Sequence, residues 1–263
     1  MTRLFGLSAS VIAGGLVLQA ASASAQEAAK ATPEDRWAVS VTAYAWAPSV
    51  DGHARVRGQK AEVDMPFSDM LEDLTFGAMG MVAARRGRFG FYVNPFFART
   101  RSDEGSGRIE SRVRSDTSMV GVGGLYRLLD WEAEPDAAGP RGAQLEALAG
   151  VRLTYMRTEI NGRHGLPKFD DDETWVDPIV GLGGRLQLSD RWETFAEGDI
   201  GGFHVGSDIT WSWTAGIGYG FELFGHQSFI RAGYRMLYQD YKDGGFEWDV
   251  TYKGPVVGLT TRF

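Results

Sequence analysis

The sequence predicts an all-β fold: a closed, antiparallel, up-and-down β-barrel of about ten strands that crosses a membrane. Three observations predict it. First, residues 209–221, "ITWSWTAGIGYGF", alternate without a break: Ile209, Trp211, Trp213, Ala215, Ile217, Tyr219 and Phe221 share one face, and Thr210, Ser212, Thr214 and three glycines share the other. A half-buried soluble strand runs about five or six residues, whereas a tilted membrane-spanning strand needs about 9–11. Second, the chain opens with an export signal. Third, 35 glycines and 12% aromatics exceed soluble-domain usage, where Gly is about 7%, and suit closely packed, curved strands.

The elements follow in order. Arg3, an apolar run and Ala23-Ser24-Ala25 describe a signal peptide over residues 1–25. Residues 26–36, "QEAAKATPEDR", read as a polar, flexible lead, and the barrel occupies 37–263. The net charge is -7 and becomes -8 when Arg3 is removed with the signal. An acidic chain argues against nucleic acid, which requires basic patches. There is no cysteine, so neither disulfides nor thiolates contribute. The longest charge-free run after the signal is 209–221, too short for a spanning helix of roughly 20 residues.

Period-2 patterning places strands at approximately 37–47, 74–86, 88–101, 108–128, 143–159, 174–188, 192–204, 209–223, 227–241 and 248–263. Eight or twelve strands are the alternatives, because 108–128 is long and 53–65 can form a further hairpin within the first loop. "SDMLEDL" reads as one helical turn capped by Ser68. The segments "VGVGGLYRLLD" (120–130) and "VGLGGRLQLSD" (180–190) echo one another, as repeated strand-turn-strand units do. Tight turns at 85–88, 189–191 and 224–226, with a longer link near 130–142, alternate with longer or more polar connections, of which only 205–208 is short, the asymmetry that membrane barrels show. Trp37 and Trp192 fall at one set of strand ends. Trp175, Trp211 and Trp248 fall near the other, which predicts two aromatic girdles.

The face opposite the apolar one collects Arg127, Glu146, Arg152, Asp177, Arg185, Glu193, Glu197, Asp199, Glu222, Arg231 and Arg235. Mixed charge in a narrow lumen predicts a salt-bridged plug or a polar path for small solutes. Of four histidines, His226 sits in a turn on the tight side, while His53 and His164 sit in loops. His204, with Asp199 and Asp208 near it, is the one candidate for rim catalysis. Asp170, Asp171, Asp172 and Glu173 read as a solvated acidic loop whose spacing is not that of an EF-hand. No metal or cofactor is expected.

The chain ends "VVGLTTRF", with Val257, Leu259 and Phe263 on one face. This ending resembles the C-terminal signal of bacterial outer-membrane β-barrels. "AYAWAPSVDG" (43–52) and "FSDMLEDL" (67–74) resemble a poorly characterised proteobacterial family of such proteins; Thr261, where a larger apolar residue is commoner, is a departure. The resemblance implies location in the cell outer membrane. It also implies contact with its lipid and lipopolysaccharide, and recognition of the last strand by the barrel assembly machinery. It implies no activity and leaves the oligomeric state open. The expected function is therefore a non-catalytic structural or interaction barrel, or a narrow pore. Two alternatives stand beside it: an outer-rim hydrolase or lipid-modifying enzyme using His204, and a soluble periplasmic ligand-binding barrel.

Overall fold

The computed structural model describes residues 36–56, 59–104, 111–133, 139–162 and 168–263. The signal peptide and lead expected at 1–25 and 26–35, and His164, lie outside them. Ten strands close into an antiparallel barrel: β1 (Ala38–Trp46), β4 (Leu74–Arg86), β5 (Phe89–Glu104), β6 (Ser111–Glu132), β7 (Gly142–Gly162), β8 (Lys168–Gln187), β9 (Trp192–Gly201), β10 (Ile209–Leu223), β11 (His226–Asp243) and β12 (Phe246–Arg262). Pairing of β1 with β12, from Ser40↔Arg262 to Trp46↔Val256, shuts the ring. Two further strands, β2 (Ser49–Val56) and β3 (Gln59–Met65), form the hairpin expected in the first loop, and β2 extends the sheet along β12.

Alternation makes the two faces. Ile217, Ile230 and Val257 are each more than half exposed, which is intolerable as a continuous belt in water and required in hydrocarbon. The opposite face turns charged groups inward, where Glu193 and Asp177 are almost wholly buried. Closure leaves no unpaired strand edge in the lipid-facing wall of β5 to β12, as hydrocarbon demands. The soluble-barrel alternative has no counterpart in this surface. At Gly216, which faces Gly233 across β10 and β11, an added Cβ would lie 2.9 Å from the Phe195 ring and closer still to the Ala232 carbonyl. The small residue there lets an aromatic lie flat against curved backbone.

Four expectations change. Trp175 and Trp248 do not join an outer girdle. Trp175 is buried on the inner face, stacked on Tyr241 at 4.2 Å, and Trp248 stacks on Phe246. Trp211 does lie outward on β10, beside Tyr238. Residues 168–173 are not a loop but the start of β8, paired with β7 from Asn161↔Lys168. The helical turn is α1 (Phe67–Asp73), but its N-cap is Pro66, with no side-chain cap. Ser68 lies inside it and donates to Asp69 instead.

The wall has one interruption. The β1–β12 and β12–β2 ladders share a single register, so residues 40–55 run along β12 without slippage. On the other side, β1 pairs with β4 only from Ala38↔Arg85 to Ala43↔Gly80, and pairing resumes at Val50↔Met65. Removing Pro66–Asp73 from the count would bring Leu74 next to Met65 in the register that β4 already keeps. Thus α1 is an insertion looped out of one long strand. Between the two ladders, Tyr44–Ser49 and Leu74–Met79 are splayed apart. The Trp46 N–H donates to the Met79 thioether at 3.2 Å, a weak acceptor where a ladder carbonyl would be strong. Pro48 removes one more donor from this stretch.

β9 is short beside β8, and its connection to β10 folds down into the gap it leaves. Gly202 N–H donates to the Pro178 carbonyl and Asp208 N–H to that of Asp240. The buried Asp177 carboxylate accepts from Ser207 N–H (2.6 Å), Ser207 Oγ (2.9 Å) and Trp175 Nε1 (3.2 Å). Asp177→Ala should strip three donors of their acceptor, at roughly 1–3 kcal/mol each if they stay buried. Hydrogen exchange across 202–208 should then accelerate, and unchanged protection there would show that Asp177 does not hold this turn.

Candidate functional site

The candidate site is the interior of the barrel, built in three storeys from the inward residues of all ten strands. The lowest is ionic. Arg85 on β4 grips Glu146 on β7 with two bonds of 2.8 Å, and Arg127 on β6 reaches the same carboxylate at 3.5 Å and Asp130 at 2.6 Å. Arg185 donates to Gln144, which donates on to Asp130 at 3.0 Å. A second group centres on Glu193 of β9, which accepts from Arg231 Nε (2.8 Å) and Arg262 Nη2 (3.1 Å). The guanidinium planes are covered by rings: Arg231 lies 5.2 Å from Phe195, and Arg262 lies 4.3 Å from Phe229. The mouth below, on the side of Arg262 and the chain end, opens into a vestibule of about 510 Å³, bordered by Arg141, Arg185, Glu193 and Arg262.

The middle storey is partly paired. Arg152 holds both oxygens of Asp199 at 2.7 and 2.8 Å, and Ser212 donates to the same carboxylate at 2.5 Å. Among the described residues Arg235 makes no ion pair. One of its nitrogens donates to Tyr44 OH at 3.2 Å, its Nε is buried without a partner, and its plane lies 4.7 Å from the Trp46 ring. Tyr44 in turn donates to Asn94 at 2.8 Å. Among the described residues Glu197 has no hydrogen-bond or ion-pair partner, and it borders a chamber of about 110 Å³ together with Arg235, Tyr92 and Asp199. That space has room for several waters, at roughly 10–15 Å³ each.

The upper storey is apolar. Trp46, Phe96, Met119, Leu237, Val250 and Tyr252 are buried against one another across the lumen, with Val50 from β2. Met156, Trp175 and Tyr241 make a second cluster beside them. Hydrophobic alternation had marked only the lipid face as apolar. The inner-face period also holds Trp46, Phe96, Leu237 and Tyr252, and that shared parity was the signal available for this layer.

The charged residues expected to line the lumen all lie on inward-facing positions. They do not form one site: Arg127, Glu146, Arg185, Glu193 and Arg231 belong to the ionic floor, Arg152, Glu197, Asp199 and Arg235 to the chamber, and Asp177 to the turn above. Glu222 is at the exposed lower end of β10. Arg85, Arg262, Tyr44 and Asn94 complete these groups and were not among the candidates. Sequence distance hides them, because Arg85 on β4 and Glu146 on β7 meet with two strands between them.

At the outer rim, His204 Nδ1 lies 3.0 Å from Asp208, and Lys242 reaches the other oxygen at 3.3 Å. Asp199 is not part of this group. His204 is four-fifths exposed, and the serines nearest in sequence, Ser207 and Ser212, donate to Asp177 and Asp199. His204→Ala should leave host lipid and peptide processing unchanged; a lost product would assign the rim a reaction. The hydrogen bond from His204, then that from Lys242, holds the Asp208 carboxyl below the usual value of 3.8. A depressed carboxylate stabilises the fold above its unfolded value, and that contribution is lost as pH falls through the folded one. The Asp208 contacts should therefore survive acidification to pH 3.8, as carboxyl-carbon NMR would show. A midpoint at or above 3.8 would contradict the geometry.

No protein-family model matches the chain, and no curated protein matches it. Solved structures similar to it include the outer membrane protease OmpT from Escherichia coli, with 11% identity over 86% of this chain and 97% of that one, at a TM-score of 0.48. The attachment invasion locus protein Ail of Yersinia pestis, bound to a heparin analogue, shares 12% identity over 87% and 99%, at 0.35. The transport unit of the autotransporter AIDA-I from Escherichia coli shares 10% over 86% and 88%, at 0.39. The chain is an outer-membrane β-barrel. That statement stands on the closed ring, the apolar belt and the polar lumen; the likeness to these structures concerns fold and assigns no residue a role.

Proposed function

We propose that the protein is a non-catalytic outer-membrane barrel whose lumen is sealed, so that it acts through what it holds or contacts rather than as an ion-conducting pore. The observation that carries this is the apolar storey: side chains from β1, β5, β6, β11 and β12 meet across the barrel above a floor of paired charges. Ions crossing it would shed water into hydrocarbon-like packing, a cost of many kcal/mol. Refolded protein in a planar bilayer should give no steady conductance steps. Reproducible steps whose ion selectivity shifts in Arg231→Glu or Arg235→Glu would overturn the reading and restore the narrow pore.

The same reading includes assembly. Phe263 exchanges two backbone hydrogen bonds with Val39, at 2.8 and 3.2 Å, and its ring packs 4.6 Å from His226. Val257 and Leu259 face outward with it. Recognition of this strand by the barrel assembly machinery predicts that deleting Phe263 lowers the amount reaching the outer membrane while refolding in detergent still succeeds. Equal loss of both would make Phe263 a stability residue only.

A further inference from the structure

We propose that the wall interruption between β1 and β4 is a lateral window, and that the apolar cavity behind it binds a small neutral aromatic molecule drawn from the outer leaflet. The inference rests on the sealed-lumen reading, since it makes the interior a place of residence. A cavity of about 100 Å³ lies at the height of the splayed stretch. Its lining comes from both sides of the opening: Trp46 and Pro48 on one, Leu74 and Met79 on the other, with Ala98 of β5 and Thr117 of β6 behind. It is apolar in a lumen that is otherwise charged below. The space is of the order that admits one ring.

The window sits at the outer rim of the lipid-facing belt. Phe76 and Phe97 are exposed on the outside at its level, and beside Phe76 across the β4–β5 ladder, the outward ion pair of Arg99 with Asp116 marks the start of the polar region. A backbone N–H at this depth ordinarily takes a carbonyl partner, yet Trp46 N–H has only a thioether. The insertion α1 stands over the gap and contributes Met70 to the cavity wall, while its Phe67 and Leu71 remain exposed. The Trp46 indole N–H is buried with no partner. A π-face accepts such a donor weakly, and an alkane does not, so the geometry favours an arene. A carboxylate or cation would meet no counter-charge among these lining residues and would be disfavoured on burial.

Bromobenzene titrated into the refolded protein in nanodiscs, read by heavy-atom quenching of tryptophan fluorescence, tests this. Saturable quenching is expected above the linear background of lipid partitioning. The saturable part should shrink in Trp46→Phe, leaving the share of Trp248, which also lines the cavity, and its affinity should weaken at least about tenfold in Ala98→Phe, whose added ring occupies the cavity. Thr117→Leu fills the same space from β6 and serves if the first variant fails to show the heat-modifiable mobility of a folded barrel. Quenching that is linear throughout, or saturable but indifferent to both filling variants, would overturn the site. Conductance steps with saturable quenching intact would instead remove the sealed lumen and leave the cavity.

Discussion

Glu193→Gln should destabilise the barrel by about 3–5 kcal/mol, read as the shift in denaturant midpoint of the refolded protein in detergent. The carboxylate is 1% exposed and neutralises two cations, Arg231 and Arg262. The substitution keeps the shape and removes the charge. Two guanidiniums then face one another inside a low-dielectric ring, with Arg185 and Arg85 close enough to add to the repulsion. Their aromatic covers, Phe195 and Phe229, keep water from compensating. Adding Arg231→Met to the first change should recover part of the loss, because one unpaired cation has gone. A shift below about 1 kcal/mol for Glu193→Gln would mean that water already screens the floor, as it does for surface pairs.

The second large effect is expected at Arg152. It is 8% exposed, and its partner Asp199 is 12% exposed. Arg152→Met should also cost about 3–5 kcal/mol, since Asp199 would remain buried beside Ser212 with no cation. Arg152→Lys is not a rescue. An ammonium cannot reproduce the planar fork that reaches Asp199, Thr210 and Ser212 together, so most of the loss should persist. If lysine restored the wild-type midpoint, the contribution would be charge alone and the bonding geometry would be incidental. The two sites have no common partner, and their effects should add.

Much of the architecture was legible because the membrane enforces a period of two along every strand. The inward position of Asp177 and the outward position of Val176 follow from that alternation alone. The same parity carried information that the aromatic-girdle argument overrode: Trp175 is two residues from Asp177 and shares its face. Trp248 stands in the same relation to Val250 and Tyr252. Where strands rise beyond the bilayer, the constraint that wrote the pattern lapses. Residues 168–173 are therefore charged and still pair, and nothing local distinguishes them from a loop. The insertion of α1 was visible as a helical turn. Its consequence was not, because which strands separate around it depends on the β1–β4 register, a pairing of distant residues. The ion pairs of the floor were hidden for the same reason.

Nine of the ten ladders that make up the ring join neighbours along the strand order, and of these all but β1–β4 are single hairpin steps. The tenth, β1 with β12, joins the first barrel strand to the last. Hairpin steps close over short loops, whereas the tenth must wait for nearly the entire chain to be in place, at the loop-closure entropy of almost its whole length. The ring therefore has a natural last step. Until Ser40 meets Arg262, the edges of β1 and β12 are open to pairing with any other strand, and the lifetime of that open state sets how long the chain is vulnerable to misassociation on its way to the membrane.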